Sequence, residues 1–336
     1  MTEKRDNTMG YSSYSDDFYK DRVVTRAATS TPTFKHDSDV KSGKTSTALN
    51  PLLDVSDGKI RESRDSAEHP NSMAIAVFCD VTGSMSSVPG IVQGKIPQLM
   101  GLLGRKGYIE DPQVLFGAIG DFFSDRVALQ VGQFESGIEM DDSITAVYLE
   151  GGGGGTYEES YQNALYYLGN RTSCDCYEKR GKKGYAFIIG DEKPYPQSTR
   201  AELQALMGVT VQSDVPLSEI MKAVLEKWDV FFIIPKGTNH YSDPALERRW
   251  AELLGAQRVI KIEDPSAICE TIGGIIGLCE GTTTHDGLSA DLKDVGASGA
   301  VVSATTTSLR GLTALARVGS GDLPERTGRS TSTARL

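Results

Sequence analysis

The 336-residue chain is poor in aromatic residues (7%) and has two tryptophans, four histidines and five cysteines. It also lacks long hydrophobic runs. The most apolar stretches, at 185–190 and 230–234, fall far short of the roughly 20 residues that cross a bilayer. The opening MTEKRDNTMGYSSYSDD holds no apolar core of the kind a secretory signal needs. The expectation is a cytoplasmic protein with no membrane partner. Of the cysteines only Cys174 and Cys176 lie close together, which gives neither a disulfide framework nor paired CxxC spacings, so all five read as reduced thiols. The histidines, at 36, 69, 240 and 285, are too scattered to form a zinc set.

A basic excess is missing as well. The net charge is −10, and its distribution is uneven. Residues 1–70 hold 11 basic and 12 acidic side chains, and residues 286–336 hold 6 and 5. The middle, 71–285, therefore carries 18 basic and 28 acidic groups and accounts for the whole negative charge. Phosphate-backbone binding needs the opposite sign, so nucleic acid is excluded as a partner of the body. Such a field draws in cations or the basic surface of another protein.

The flanks differ from the body in composition. Residues 1–70 are rich in Ser, Thr, Asp and Lys and read as a mostly disordered or extended arm that cannot bury enough to fold alone. From 71 to 285 strand-like and helix-like segments alternate, as expected of an α/β domain: a Rossmann-like, doubly wound, mostly parallel sheet with helices on both faces. The run MAIAVFC at 73–79 suits a central strand buried on both sides. A helix is expected at 91–103, a strand at 114–119, and a half-buried antiparallel edge strand at 127–134. An apolar run at 144–149 and five glycines precede a helix at 157–168, with Tyr161, Ala164, Leu165 and Leu168 on one face. Strands are expected at 185–189, 229–234 and 259–262, with helices ending at Trp228, between Asp243 and Gly255, and over 266–279. Residues 286–336 suggest a helix over 288–315 and then a disordered tail.

Three polar motifs fall just past strand ends, the edge where open parallel sheets bind ligands. They are Asp80-Val81-Thr82-Gly83-Ser84, then Thr156 after Gly151–Gly155, then Asp191. Two carboxylates and three hydroxyls are hard oxygen donors, suited to an ion of the size of Mg2+ that keeps several waters. Thr82, Ser84 and Thr156 would ligate directly, while Asp80 and Asp191 would hold bound waters. Gly83 and the glycine run would let the backbone bend tightly beside the ion.

D-x-T-G-S after the first strand, a distant Gly-Thr opening a helix and an Asp after a later buried strand resemble the von Willebrand factor type A (VWA) domain with its metal-ion-dependent adhesion site. The resemblance covers about 71–280, with Thr82 where the family pattern D-x-S-x-S has its first Ser. It implies that Asp80, Thr82, Ser84, Thr156 and Asp191 hold Mg2+, with Mn2+ or Ca2+ as alternatives. It also implies binding and no turnover: an adaptor that recognises an acidic side chain of a partner protein, in the manner of bacterial and phage members that work beside MoxR-type AAA+ ATPases. Asn239, His240 and Tyr241, in a loop expected to rim the same edge, are the candidates for partner specificity.

Other readings compete. DVTGS alone suits a plain capped loop. Asp121 and Asp125 suit either support of the ion or solvation of a loop, and Glu158 and Glu159 suit the first turn of a helix. Lys179–Lys183 reads as a solvated basic loop. A Mg2+-dependent phosphatase needs D-x-D, and position 82 is Thr. A structural role in a phage or bacterial particle, with flexible arms threading neighbours, is the remaining alternative.

Overall fold

The apolar run at 73–79 forms the middle of the molecule. In the computed structural model, which describes residues 13–85, 87–152 and 157–312, it belongs to strand β1 (Ser72–Asp80), all nine residues of which are buried. The central sheet adds β2 (Asp111–Ile119), β3 (Leu129–Val131), β4 (Gly184–Ile189), β5 (Trp228–Pro235) and β6 (Val259–Ile262). Its order is β6-β5-β4-β1-β2-β3. Every pairing is parallel except β2 with β3, where Gly117 stands opposite Val131. This is the Rossmann-like α/β architecture with one antiparallel edge strand.

The helices cover both faces, which is why the interiors of the central strands are nearly continuous apolar runs and do not alternate. Helices Tyr161–Asn170 and Leu217–Lys227 pack together in one layer. Helix Ile268–Glu280 packs against residues 88–105 in another. Its glycines set that spacing: a Cβ at Gly273 would overlap Leu102 and one at Gly277 would overlap Tyr108. Trp228, where helix gives way to β5, is buried, and its Nε1–H reaches the Leu168 carbonyl at 3.0 Å.

Several local expectations change. The expected helix at 91–103 is divided into Val88–Gly94, Ile96–Met100 and a π-helical turn Gly101–Arg105, because Pro97 lacks the N–H that would continue the first ladder. The apolar run at 144–149 is not a strand: helix Glu139–Thr145 takes its start, and the rest is an irregular buried segment. The edge strand shortens to β3. The helix expected at 157–168 begins at Tyr161, since Glu158 and Glu159 pair in parallel with Lys193 and Pro194.

The largest correction concerns residues 1–70. The described part, from 13 onward, is neither disordered nor merely extended: it forms helices Asp16–Ala28 and Lys35–Lys41 and a strand Arg61–Ser63 paired with Thr172–Cys174. It has too little apolar surface for a core of its own, so it uses that of the body. Tyr19, Leu53 and Val55 are buried, and Leu53 extends the sheet edge by accepting the Val131 N–H at 2.9 Å. Arg22 and Arg26 both pair with Asp141, which is fully buried and also takes Gln93 Nε2 at 2.8 Å.

At the other end, the helix expected over 288–315 is two helices, His285–Asp294 and Gly299–Ser308, separated at Gly296 (φ +88°). Leu288, Leu292, Val301 and Leu312 join the main core, so the folded body continues past 285. The tail expected to be disordered lies outside the described residues.

The loop at 179–183 is partly exposed, as expected, but its basic groups are paired rather than simply solvated. Lys179 and Arg180 pair with Asp65, Lys182 pairs with Glu280, and Lys183 donates to the Leu225 carbonyl at 2.6 Å. The five cysteines are free thiols. Among the described residues no helix is long and apolar enough to cross a membrane.

Candidate metal centre

Sheet order sets the place of the site. From β1 the chain builds outward through β2 to β3, then returns to lay β4 on the other side of β1, so the loops after β1 and β4 part and leave a crevice between them. Asp80 ends β1, Asp191 follows β4, and the two strands are direct neighbours with Cys79 opposite Ile189. Two carboxylates remote in sequence thus share one edge.

Asp80 is fully buried. Its Oδ1 accepts the Thr82 backbone N–H at 2.8 Å and the Thr82 hydroxyl at 2.6 Å, and its Oδ2 accepts the Tyr161 hydroxyl at 2.6 Å. All three donors are neutral. Because the Thr82 proton is directed at Asp80, the lone pairs of its Oγ1 are left for a cation. Asp191, 3% exposed, accepts the His240 N–H at 3.1 Å. The loop after β1 is joined to the start of the glycine run: Gly83 N–H donates to the Gly152 carbonyl, and Gly151 N–H to the Val81 carbonyl at 3.2 Å. Gly83 (φ +32°) and Gly151 (φ +67°) have the positive φ that L side chains avoid, which accounts for glycine at both bends. Thr156 and the side chain of Ser84 lie outside the described residues.

More carboxylates surround the pair. Glu159 is buried and its Oε1 accepts the Ser160 N–H at 2.9 Å. Asp121, also buried, accepts the Ser124 hydroxyl at 2.8 Å and the Ser160 hydroxyl at 3.3 Å, while Asp125 receives the Asp121 N–H at 2.7 Å. Glu192 lies 3.9 Å from His240. Burial pushes the Asp80 carboxyl up to about 7 against the pull of its hydrogen bonds, and the charge of Asp191 adds to the rise. Burial, then Asp80, takes Glu159 to about 10, and burial followed by Asp80 and Asp191 takes Glu192 to about 8.

Asp80, Glu159 and Glu192 are raised because burial beside other carboxylates disfavours their charged forms. A divalent cation would offset those charges. Among the described residues no three His, Cys, Asp or Glu side chains are grouped as metal ligands. The donors instead are a hydroxyl oriented by a carboxylate and buried carboxylates with neutral partners, a set that fits a small hard ion retaining waters.

The expected partner residues divide. His240 belongs to the site, through Asp191 and through its ring 4.7 Å from that of Tyr157. Tyr241 does not: its hydroxyl donates to Glu263 at 2.7 Å beyond β6, with Lys261 over its ring. Asn239 is exposed. Tyr161, Glu159 and Glu192 escaped the sequence reading. Tyr161 carries a helical core signal, and Glu159 looks like a first-turn acid; only the start of the helix at Tyr161 shows otherwise.

The class of protein that fold and site define is a Rossmann-like α/β domain with a hydroxyl and carboxylate site at its topological switch point. No protein-family model matches the chain, and no curated protein matches it. Solved structures do. The pilus adhesin SpaC from Lactobacillus rhamnosus GG, in its open conformation, matches 66% of this chain and 31% of its own at 9% identity, with a TM-score of 0.44. Proximal thread matrix protein 1 from the mussel byssus matches 70% and 46% at 11% identity, with a TM-score of 0.38. The chain thus spans about a third of the adhesin and about half of the byssus protein.

Proposed function

We propose that the chain is a divalent-metal-dependent protein-binding module of the VWA type, acting in the cytoplasm without catalytic turnover. The observation that carries this reading is the Thr82 hydroxyl, bonded to a buried Asp80 beside Asp191 in the switch-point crevice. Asp80, Thr82 and Asp191 would hold the ion, with Ser84 and Thr156 assigned by the sequence motif. A divalent ion, Mg2+ before Mn2+ or Ca2+, would offer an open coordination position to an oxygen of the partner.

The protein groups prepare that position. Asp80 orients the Thr82 lone pairs, Asp191 fixes the loop through the His240 N–H, and the two bends at Gly83 and Gly151 hold the loop after β1 to the glycine run. Exposed Phe123 and Tyr157, 63% and 62% accessible, belong to the segments that follow β2 and the glycine run and would meet a partner protein. Its acidic side chain would complete the ion's shell, and a MoxR-type AAA+ ATPase is a candidate partner. Phosphatase-type chemistry at Asp80 lacks support, because both of its oxygens are engaged and position 82 offers no carboxylate. The particle-associated alternative needs free arms; the described part of residues 1–70 folds onto its own body, and residues 1–12 and 313–336 lie outside the described residues.

The test is thermal melting in EDTA and then in saturating Mg2+ or Mn2+, with Asp80→Ala in parallel. An ion at about 100 times its Kd adds ~2.7 kcal/mol to wild type. A rise in wild type alone supports the reading. Equal behaviour of the two proteins refutes it.

A further inference from the structure

We propose that Tyr161 is a positioning residue that holds Asp80 away from direct contact with a bound ion, and so favours a small, strongly hydrated cation over calcium. This rests on the ion-binding reading above.

A carboxylate has about four lone-pair positions. At Asp80, among the described residues, three of them are taken: two on Oδ1 by the Thr82 N–H and hydroxyl, and one on Oδ2 by Tyr161. Asp80 therefore has no pair of free oxygens for the bidentate grip that calcium commonly takes. It keeps one acceptor position, enough for the proton of a metal-bound water. Magnesium, which demands octahedral geometry and retains waters, tolerates this; calcium, with six to eight oxygen ligands, gains from carboxylates that can swing in.

The hydroxyl is fixed by its surroundings. The Tyr161 ring is fully buried, edge-on to Phe232 at 5.8 Å and to Trp250 at 5.7 Å, and those two rings stack at 4.0 Å. Trp250 donates its Nε1–H to the Glu192 carbonyl at 2.9 Å, tying this aromatic group to the loop that carries Asp191. Gly190 provides the remaining space: a Cβ there would overlap the Tyr161 hydroxyl. Glycine between β4 and Asp191 is thereby explained by the approach of a side chain, since Gly190 is not among the positive-φ positions.

The experiment titrates the full chain with MgCl2 and, separately, with CaCl2 by calorimetry, in wild type, Tyr161→Phe and Gly190→Ala. Phenylalanine keeps the ring and its packing and removes only the hydroxyl. Mg2+ affinity should fall about tenfold or more, the usual effect of losing a group that orients a metal site. Ca2+ affinity should hold or rise, so the Mg2+/Ca2+ preference drops at least about tenfold, with Gly190→Ala shifting it the same way. An unchanged preference, or equal losses for both ions, overturns the proposal and leaves Tyr161 as packing alone. Wild type that binds neither ion overturns the ion-binding reading, and this proposal with it. Should the variants fail to fold, electron–nuclear double resonance of Mn2+-loaded wild type with 13C-labelled aspartate decides: weak coupling to one carboxylate carbon beyond the inner shell supports the assignment, and strong coupling from every aspartate at the site refutes it.

Discussion

Replacing Asp80 by Asn should stabilise the metal-free protein at pH 8 and abolish its response to Mg2+. The substitution keeps the shape. Asn Oδ1 can still accept from the Thr82 N–H and hydroxyl, and its Nδ2–H can donate to a Tyr161 hydroxyl turned to accept. What disappears is the buried charge. A fully buried carboxyl raised from 3.8 to about 7 carries, when ionised, a penalty of roughly 4 kcal/mol at 1.36 kcal/mol per pH unit. The sign follows from proton uptake: between about pH 4 and 7 the folded state holds a proton that the unfolded chain releases, so metal-free stability falls as pH rises through that window and levels off above it. Asn has no such window. The variant should match wild type near pH 4 and exceed it by about 1–4 kcal/mol at pH 8, each kcal/mol being worth roughly 1–2 °C in Tm for a body of this length. The assay is calorimetric melting in EDTA across pH 4–8, repeated with Mg2+ at pH 8. A variant that melts below wild type at pH 8, or whose advantage is the same at both ends of the range, refutes the account of Asp80 as an uncompensated buried charge.

Further outcomes follow from single groups. Thr82→Val, nearly the same shape without the hydroxyl, should fold with native circular dichroism yet lose at least tenfold in Mg2+ affinity by calorimetric titration. Asp141→Ala removes the buried anchor of Arg22, Arg26 and Gln93, and should cost about 3–5 kcal/mol and expose helix Asp16–Ala28 to rapid hydrogen exchange. Trp228→Ala should cost about 3–5 kcal/mol in urea unfolding through the cavity it leaves, with Mg2+ binding retained in the protein that remains folded.

The sheet could be read from the sequence because its central strands lie buried on both faces and carry nearly continuous apolar runs; β1, β4 and β5 announce themselves in that way. Asp80, Thr82 and Asp191 were equally visible, being placed by strand ends. What periodicity could not show was tertiary. Ser15 as N-cap, Asp16 and Asp17 in the first turn and Arg26 in the last are local helix signals, but nothing local shows that this helix holds to the body through Tyr19 and two arginines on Asp141, since the compensating carboxylate lies on a distant segment. The same holds for 179–183, whose lysines look solvated until Asp65 and Glu280 arrive from elsewhere. Glu159 shows how a one-turn error matters: moving the helix start to Tyr161 turns an acid favouring a helix dipole into a buried neighbour of Asp80.

That neighbour bears on why the site takes the form it does. Asp80, Asp121, Glu159 and Asp191 are buried where the fold alone gains nothing from like charges, and local consistency of that kind is broken in natural proteins chiefly at functional positions. The strong apolar sheet beneath them makes this tolerable: β1 and β4 are locked by their neighbours on both sides, so strain at their ends does not spread into the core. A bound cation would then act as the missing core residue of the crevice, and its removal would be felt as protonation of Asp80 and Glu159 rather than as unfolding of strands. On this reasoning, metal dependence should appear in the loops that follow β1 and β4 and leave the strands themselves as protected from hydrogen exchange in EDTA as in Mg2+.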